Sequence, residues 1–140
     1  MEKDLELMRK MRRCGHLLYH RYSPNQSQSR IVLLLHRNGP MNQKELLEQM
    51  HIQPGSLSEV VAKVENCGLI ERKRSEKDRR VWELQLTEKG HNRALQFEKQ
   101  REETAERLFS VLTDRQKEDF GEILSILLEN WDVQNTNESN

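Results

Sequence analysis

Apolar positions recur at helical spacing toward both ends of the chain and alternate at strand spacing only in its middle. From Glu2 to Tyr22, residues Leu5, Met8, Met11, Leu18 and Tyr22 fall near helical spacing and predict a first helix. Its end is expected at Ser23-Pro24, because the residue before a proline is pushed out of the helical region. Ser27 to Arg37 is a short, strongly apolar helix around Ile31-Val-Leu-Leu-Leu35, stopped by Asn38-Gly39-Pro40. Met41 is expected to form a one- or two-residue strand. Asn42 suits an N-cap, with Glu45 close to completing a capping box, for a helix from Gln43 to Met50. His51-Ile52-Gln53-Pro54 is a turn. Pro54 fits the first turn of a helix running to Asn66, and Gly68 is placed to be its left-handed C-cap.

A hairpin follows. Leu69 to Lys73 and Val81 to Leu86 have strand character, with Trp82, Leu84 and Leu86 expected on one face and Val81, Glu83 and Gln85 on the other. Arg74 to Arg80 forms the polar loop between them. Thr87 caps a long helix through Leu112, about 38 Å at about 1.5 Å per residue. Thr113, with Gln116, caps a last helix whose Phe120, Ile123, Leu124, Leu127, Leu128 and Trp131 form one stripe. The fold class is therefore mainly α with a small β-hairpin wing: a winged helix-turn-helix flanked by N- and C-terminal dimerisation helices. The expected division is 1–26 for the first dimerisation helix and 27–90 for the winged segment. Residues 91–133 complete the dimerisation region, and 134–140 form a disordered polar tail.

The chain has 140 residues, a third of them charged, with no net charge. The average conceals local asymmetry. Arg9 to Arg21 contains Arg9, Lys10, Arg12, Arg13 and Arg21 and no acid, whereas Asp114, Glu118, Asp119, Glu122, Glu129, Asp132 and Glu138 crowd the C-terminal end. A basic patch on one face is the footprint that nucleic acid needs, whatever the overall charge. Apolar runs are too short for a membrane span, and Met1 to Lys10 lacks the apolar core of a signal peptide, so a cytoplasmic location is expected. Cys14 and Cys67 are far apart, and both are expected to be reduced thiols, Cys67 in the core. No Gly-rich phosphate loop, metal-ligand cluster or nucleophile-base motif stands out, so neither an enzyme nor a bound cofactor or metal is expected.

The candidate chemistry lies between Ser27 and Gly90. In a helix-turn-helix the second helix enters the major groove. Here its Leu57, Val60, Val61 and Val64 are expected to pack inward, leaving Ser56, Ser58, Glu59, Ala62, Lys63 and Asn66 outward. Hydroxyls near a helix N-terminus can bond phosphates or base edges, and a glutamate can accept from a cytosine amino group. Ser56, Ser58, Glu59 and Lys63 are the expected recognition-helix contacts, and Asn42 and Gln43 the expected DNA-backbone contacts. The hairpin tip concentrates Arg72, Lys73, Arg74, Lys77, Arg79 and Arg80, and a guanidinium there can enter the narrow minor groove. Asp78 among these bases fits a residue that orients one arginine.

Ser29-Arg30 with the apolar run after it, Gly39-Pro-Met-Asn-Gln-Lys-Glu-Leu46, Pro54-Gly-Ser-Leu-Ser58, Gly68-Leu-Ile-Glu-Arg72, Asp78-Arg-Arg80 and Leu86-Thr-Glu-Lys-Gly90 together resemble the MarR family of regulators. Asn42 stands where a threonine is commoner in that family, with the same capping role. The resemblance implies a triangular homodimer on double-stranded DNA, its outer helices interlocked across a two-fold axis. Recognition helices would lie in adjacent major grooves of a pseudo-palindrome. By position, Arg80 resembles the family's minor-groove arginine and Asp78 the acid that fixes it. The resemblance also implies a repressor released by a small ligand or an oxidant. Candidate effector residues are His16, Tyr19, His20 and Arg21 on the first helix, with Arg30 nearby. Cys14, among Arg12, Arg13 and His16, resembles the family's redox sensors by position, and nearby positive charge lowers a thiol pKa. Ordinary packing roles remain open for these residues. The alternative function class is a winged-helix protein-interaction module, which an acidic or apolar wing would have favoured.

Overall fold

A computed structural model of the protein describes residues 1–22 and 26–138, with 133–138 as backbone. The helices are α1 (Glu2–His20), α2 (Gln26–Asn38), α3 (Gln43–Met50), α4 (Pro54–Asn66), α5 (Glu88–Phe109) and α6 (Asp114–Glu138). Strands β1 (Ile70–Arg74) and β2 (Trp82–Leu86) form an antiparallel hairpin with Arg72 opposite Leu84. The mainly α winged-helix architecture with a two-stranded hairpin expected from the pattern is the one observed. The chain divides into two compact units, Met1–Arg101 and Glu102–Asn140. No described helix is long and apolar enough to cross a membrane.

In the first unit the core forms where the helical and strand periodicities meet. Ile31, Val32 and Leu35 of α2, Leu46 and Met50 of α3, and Leu57, Val61 and Val64 of α4 are buried together with Ile70, Leu84 and Leu86 of the hairpin. Val60, expected inside, is half-buried against this cluster. Met41 forms the expected short bridge, its N–H donating to the Leu84 carbonyl at 3.0 Å while the Leu84 N–H donates back at 2.7 Å.

The turn from α4 into β1 closes on Gly68, whose φ of 75° is the left-handed conformation that a C-capping glycine supplies. The start of α5 is then stitched to that turn. The Thr87 hydroxyl donates to the Gly68 carbonyl at 2.6 Å and accepts from the Gly90 N–H at 3.0 Å. Lys89 Nζ donates to the Cys67 carbonyl at 2.9 Å. A side chain at Gly90 would run into the Leu69 carbonyl, so only glycine allows this close approach. The Leu86-Thr-Glu-Lys-Gly90 segment thus has a structural role: it fixes the hairpin and α5 to the end of α4.

Several boundaries differ from expectation. α1 ends at His20, and the expected breaker Ser23-Pro24 lies outside the described residues. Cys67 is exposed rather than in the core, because it is the C-cap of α4 and the chain turns outward there. Trp82 is exposed although it alternates in phase with buried Leu84 and Leu86; it sits at the far end of β2, beyond the core. α6 continues as helical backbone to Glu138, past the expected end near 133, with no glycine or proline after Gly121 to stop it. The remainder of the expected tail, Ser139 and Asn140, lies outside the described residues.

In the second unit, Thr113 and Gln116 form a reciprocal capping box: the Gln116 N–H donates to Thr113 Oγ1 at 3.2 Å and the Thr113 N–H to Gln116 Oε1 at 2.9 Å. Phe109 and Phe120 approach with ring centroids 6.4 Å apart. No described residue of α6 is buried, although Leu124 and Leu127 are half-buried.

Candidate nucleic-acid interface

The helix-turn-helix is held in register by its own side chains. Asn42 caps α3, its Oδ1 accepting from the Glu45 N–H at 2.8 Å while its amide donates to the Glu45 carboxylate. At the other end of α3 the Arg30 guanidinium donates to the carbonyls of Met50 and Gln49 at 3.3 and 3.4 Å. That places a cation on the negative pole of the helix, just before His51 takes a left-handed φ of 54°. Arg30, expected beside the effector residues, is engaged in this cap. Gln43 Nε2 donates to Ser58 Oγ at 3.0 Å, and Ser58 donates in turn to the Pro54 carbonyl at 3.2 Å. This bond links α3 to α4 across the turn. Of the expected contact residues, Asn42, Gln43 and Ser58 therefore also build the motif.

Ser56, Glu59 and Lys63 are different. All three are exposed on α4, and their side chains have no hydrogen-bond or ion-pair partner among the described residues. The first turn of α4 carries no acid, so the positive end of its dipole is left uncompensated beside Ser56. At the other end of the helix, Glu65 accepts from Arg72 Nε at 2.9 Å, which ties α4 to the hairpin.

The wing tip is built around Ser75, a polar residue that is nevertheless buried. Its N–H donates to the Val81 carbonyl at 2.8 Å, and its hydroxyl accepts from the N–H groups of Lys77 and Asp78 at 3.2 and 3.4 Å. Sequence reasoning passed over Ser75; its place after a basic strand and two residues before Lys77-Asp78 is a turn signal. The tip then carries a forked pair: Arg80 Nε and Nη2 donate to the two Asp78 carboxylate oxygens at 3.1 and 3.3 Å. The Arg80 N–H adds a third bond to the same carboxylate at 3.1 Å. The side-chain bond and then the backbone bond from Arg80 hold the Asp78 carboxyl below its ordinary pKa of 3.8. The Arg80 side chain is still 89% exposed, so the pair sets its direction without covering it. Lys77 and Arg79 have exposed, unpartnered side chains among the described residues. Lys73 lies 3.7 Å from Glu71, a loose surface pair.

Arg74 was expected in the loop but is the last residue of β1, directly opposite Trp82. Its guanidinium lies over the Trp82 ring, 4.6 Å from the centroid. Trp82 is the residue that the sequence reading missed. Its partner was displaced by one position, and without the register the pair is not visible.

On α1, Cys14, His16, Tyr19 and His20 are exposed. The His16 and His20 rings lie 4.4 Å apart, one helical turn from each other, and Tyr19 meets His20 edge-on at 4.9 Å. Among the described residues no group of three or more His, Cys, Asp or Glu side chains is placed to hold a metal ion.

Comparison with known proteins agrees with this geometry. Residues 25–82 match the MarR family model. An HTH-type transcriptional regulator of Bacillus subtilis (strain 168), YwhA, is 29% identical over 97 residues, covering 69% of this chain and 70% of that protein. A MarR transcriptional regulator from Methanosarcina mazei Go1 superimposes with a TM-score of 0.69 at 28% identity, covering 93% of this chain and 96% of that one. Streptococcus pneumoniae FabT, solved in complex with DNA, shares the fold with a TM-score of 0.73 at 17% identity over 95% of this chain and 98% of its own. The winged-helix segment of this chain thus matches the MarR family, and the chain as a whole is similar to MarR transcription regulators.

Proposed function

We propose that the protein binds duplex DNA sequence-specifically as a homodimer and represses transcription from a pseudo-palindromic operator. The observation that carries this reading is the forked Asp78–Arg80 pair, which holds an 89% exposed guanidinium at the end of a projecting hairpin. A guanidinium aimed in this way suits the narrow minor groove. In the same unit, α4 offers Ser56, Glu59 and Lys63 on an open face with an uncompensated N-terminus, the arrangement that suits a major groove flanked by phosphates. Asn42 and Gln43, at the start of α3, serve as DNA-backbone contacts. FabT, of the same fold, was solved with DNA.

The dimer reading rests on the uncovered apolar side chains. Leu5, Met8, Met11 and Leu18 on α1, and Phe120, Ile123, Leu128 and Trp131 on α6, are all exposed in the single chain. Apolar surfaces of this kind mark interaction sites. A second copy supplies the same stripes by symmetry. Release from DNA by a small ligand or an oxidant would act through α1, where Cys14, His16, Tyr19 and His20 are accessible.

The test is an Arg80→Ala variant in a gel-shift titration at fixed salt, with a duplex enriched from a random pool by the wild-type protein. The expected result is a loss of more than about tenfold in affinity, comparable to at least one lost charge-assisted contact, with the dimer intact. Unchanged affinity would reject the wing's role, and failure of any duplex to enrich would reject sequence-specific DNA binding.

A further inference from the structure

We propose that Arg74 is a positioning residue: braced on Trp82, it fixes the peptide between Arg79 and Arg80 and so sets the direction in which Arg80 leaves the wing. This inference rests on the DNA-binding reading above for its purpose, but the brace itself is a property of the free protein.

The six basic residues of the wing do not have equal surroundings. Lys77 and Arg79 have free side chains among the described residues. Arg74 lies over the Trp82 ring at 4.6 Å and at the same time donates from Nη1 to the Arg79 carbonyl at 2.7 Å. That carbonyl belongs to the same planar peptide unit as the Arg80 N–H, and the two point in opposite directions. The Arg80 N–H donates to Asp78 Oδ1 at 3.1 Å. One peptide is therefore held at both ends, by a cation on its oxygen and by a carboxylate on its N–H. Loss of either anchor would free the Arg79 ψ and Arg80 φ torsions and let the Arg80 guanidinium move off line.

Trp82 is what makes the brace directional. It pairs with Arg74 across the last rung of the hairpin, past the buried core, and it remains 51% exposed. A planar guanidinium stacks on the indole face and keeps its in-plane N–H groups for the carbonyl, which an ammonium cannot do with the same geometry. The charge of Arg74 is thus directed to a loop carbonyl, and the exposed cations of the loop itself are Lys77, Arg79 and Arg80.

Charge-retaining substitution separates this role from a phosphate contact. Arg74→Lys preserves a phosphate contact but loses the brace. The expected result is about tenfold weaker binding to the enriched duplex, with the salt slope of binding unchanged because no phosphate contact is lost. Trp82→Leu is expected to lose as much, Trp82→Phe to stay near wild type, and the Arg74→Lys, Trp82→Leu double variant to be no weaker than either single one. A second readout needs no DNA. With Trp131→Phe as background, Trp82 emission is expected to change on Arg74→Lys and not on Arg79→Lys. Wild-type affinity for Arg74→Lys, multiplying losses in the double variant, or unchanged Trp82 emission would each overturn the brace. If the wild-type protein bound no duplex while the emission changed, the brace would stand and the DNA reading would fall.

Discussion

The winged segment and the helices outside it treat their apolar residues in opposite ways. Between Ile31 and Ala94, apolar side chains of α2, α3, α4, the hairpin and the start of α5 bury one another almost completely. α1 and α6 have stripes of comparable regularity, yet no described residue of either is buried. The first region satisfies its hydrophobic pattern within one chain. The other two carry a pattern whose partner is not found within their own unit. The contrast separates what folds the chain from what is left uncovered, and it locates the proposed dimer contacts in α1 and α6.

The largest expected effect comes from attacking the unburied stripes. Removing the chain after Leu112, or placing aspartate at both Ile123 and Leu127, should abolish the dimer in sedimentation while the winged segment stays folded by circular dichroism; a stable dimer in either variant would contradict the assignment. The closed region should respond in the opposite manner. Ile31→Ala, at a fully buried site, is expected to cost about 2–5 kcal/mol of unfolding free energy in a denaturant titration, and a cost near zero would mean that the core is not as drawn. Gly90→Ala should follow at about 1–3 kcal/mol, from overpacking against the Leu69 carbonyl, with the strongest loss of amide protection where α5 begins.

The smallest effect concerns the wing. Because Arg80 holds the Asp78 carboxyl below 3.8 in the folded protein, its contribution is present above the ordinary carboxylate pKa and is lost as pH falls through the lowered value. The tip should thus keep its geometry from neutral pH down to about 5, and an NMR titration should place the Asp78 carboxyl below 3.8. A midpoint above that value would break the forked pair.

Much of this was legible from residue order. The 3.6-residue spacing of α2 and α4, the Asn42 and Thr113 caps and the Gly68 turn are local signals, and each appears where the pattern put it. What escaped depends on register and on contacts far apart in sequence. A strand end misplaced by one residue hid the Arg74–Trp82 pair. The Arg30 cap on α3 joins positions about twenty residues apart, which no periodicity encodes. Cys67 looked internal by residue type, but it caps α4 on the exposed side of the turn. The open face of α4 was readable, since apolar spacing alone determined which side was left exposed. Whether Asn42, Gln43 and Ser58 also brace the motif was not, because hydrogen bonds between two helices are set by their crossing.

The most direct test of the central claim is a salt-dependent titration of the protein against its enriched duplex, with random duplex as competitor. Tight binding that outcompetes random DNA, with two chains per duplex and an affinity falling steeply with salt, at about 0.9 in slope per phosphate contact, is the expected result. Binding no tighter than to random duplex, unaffected by Arg80→Ala, would contradict the claim and assign the winged helix to a protein partner instead.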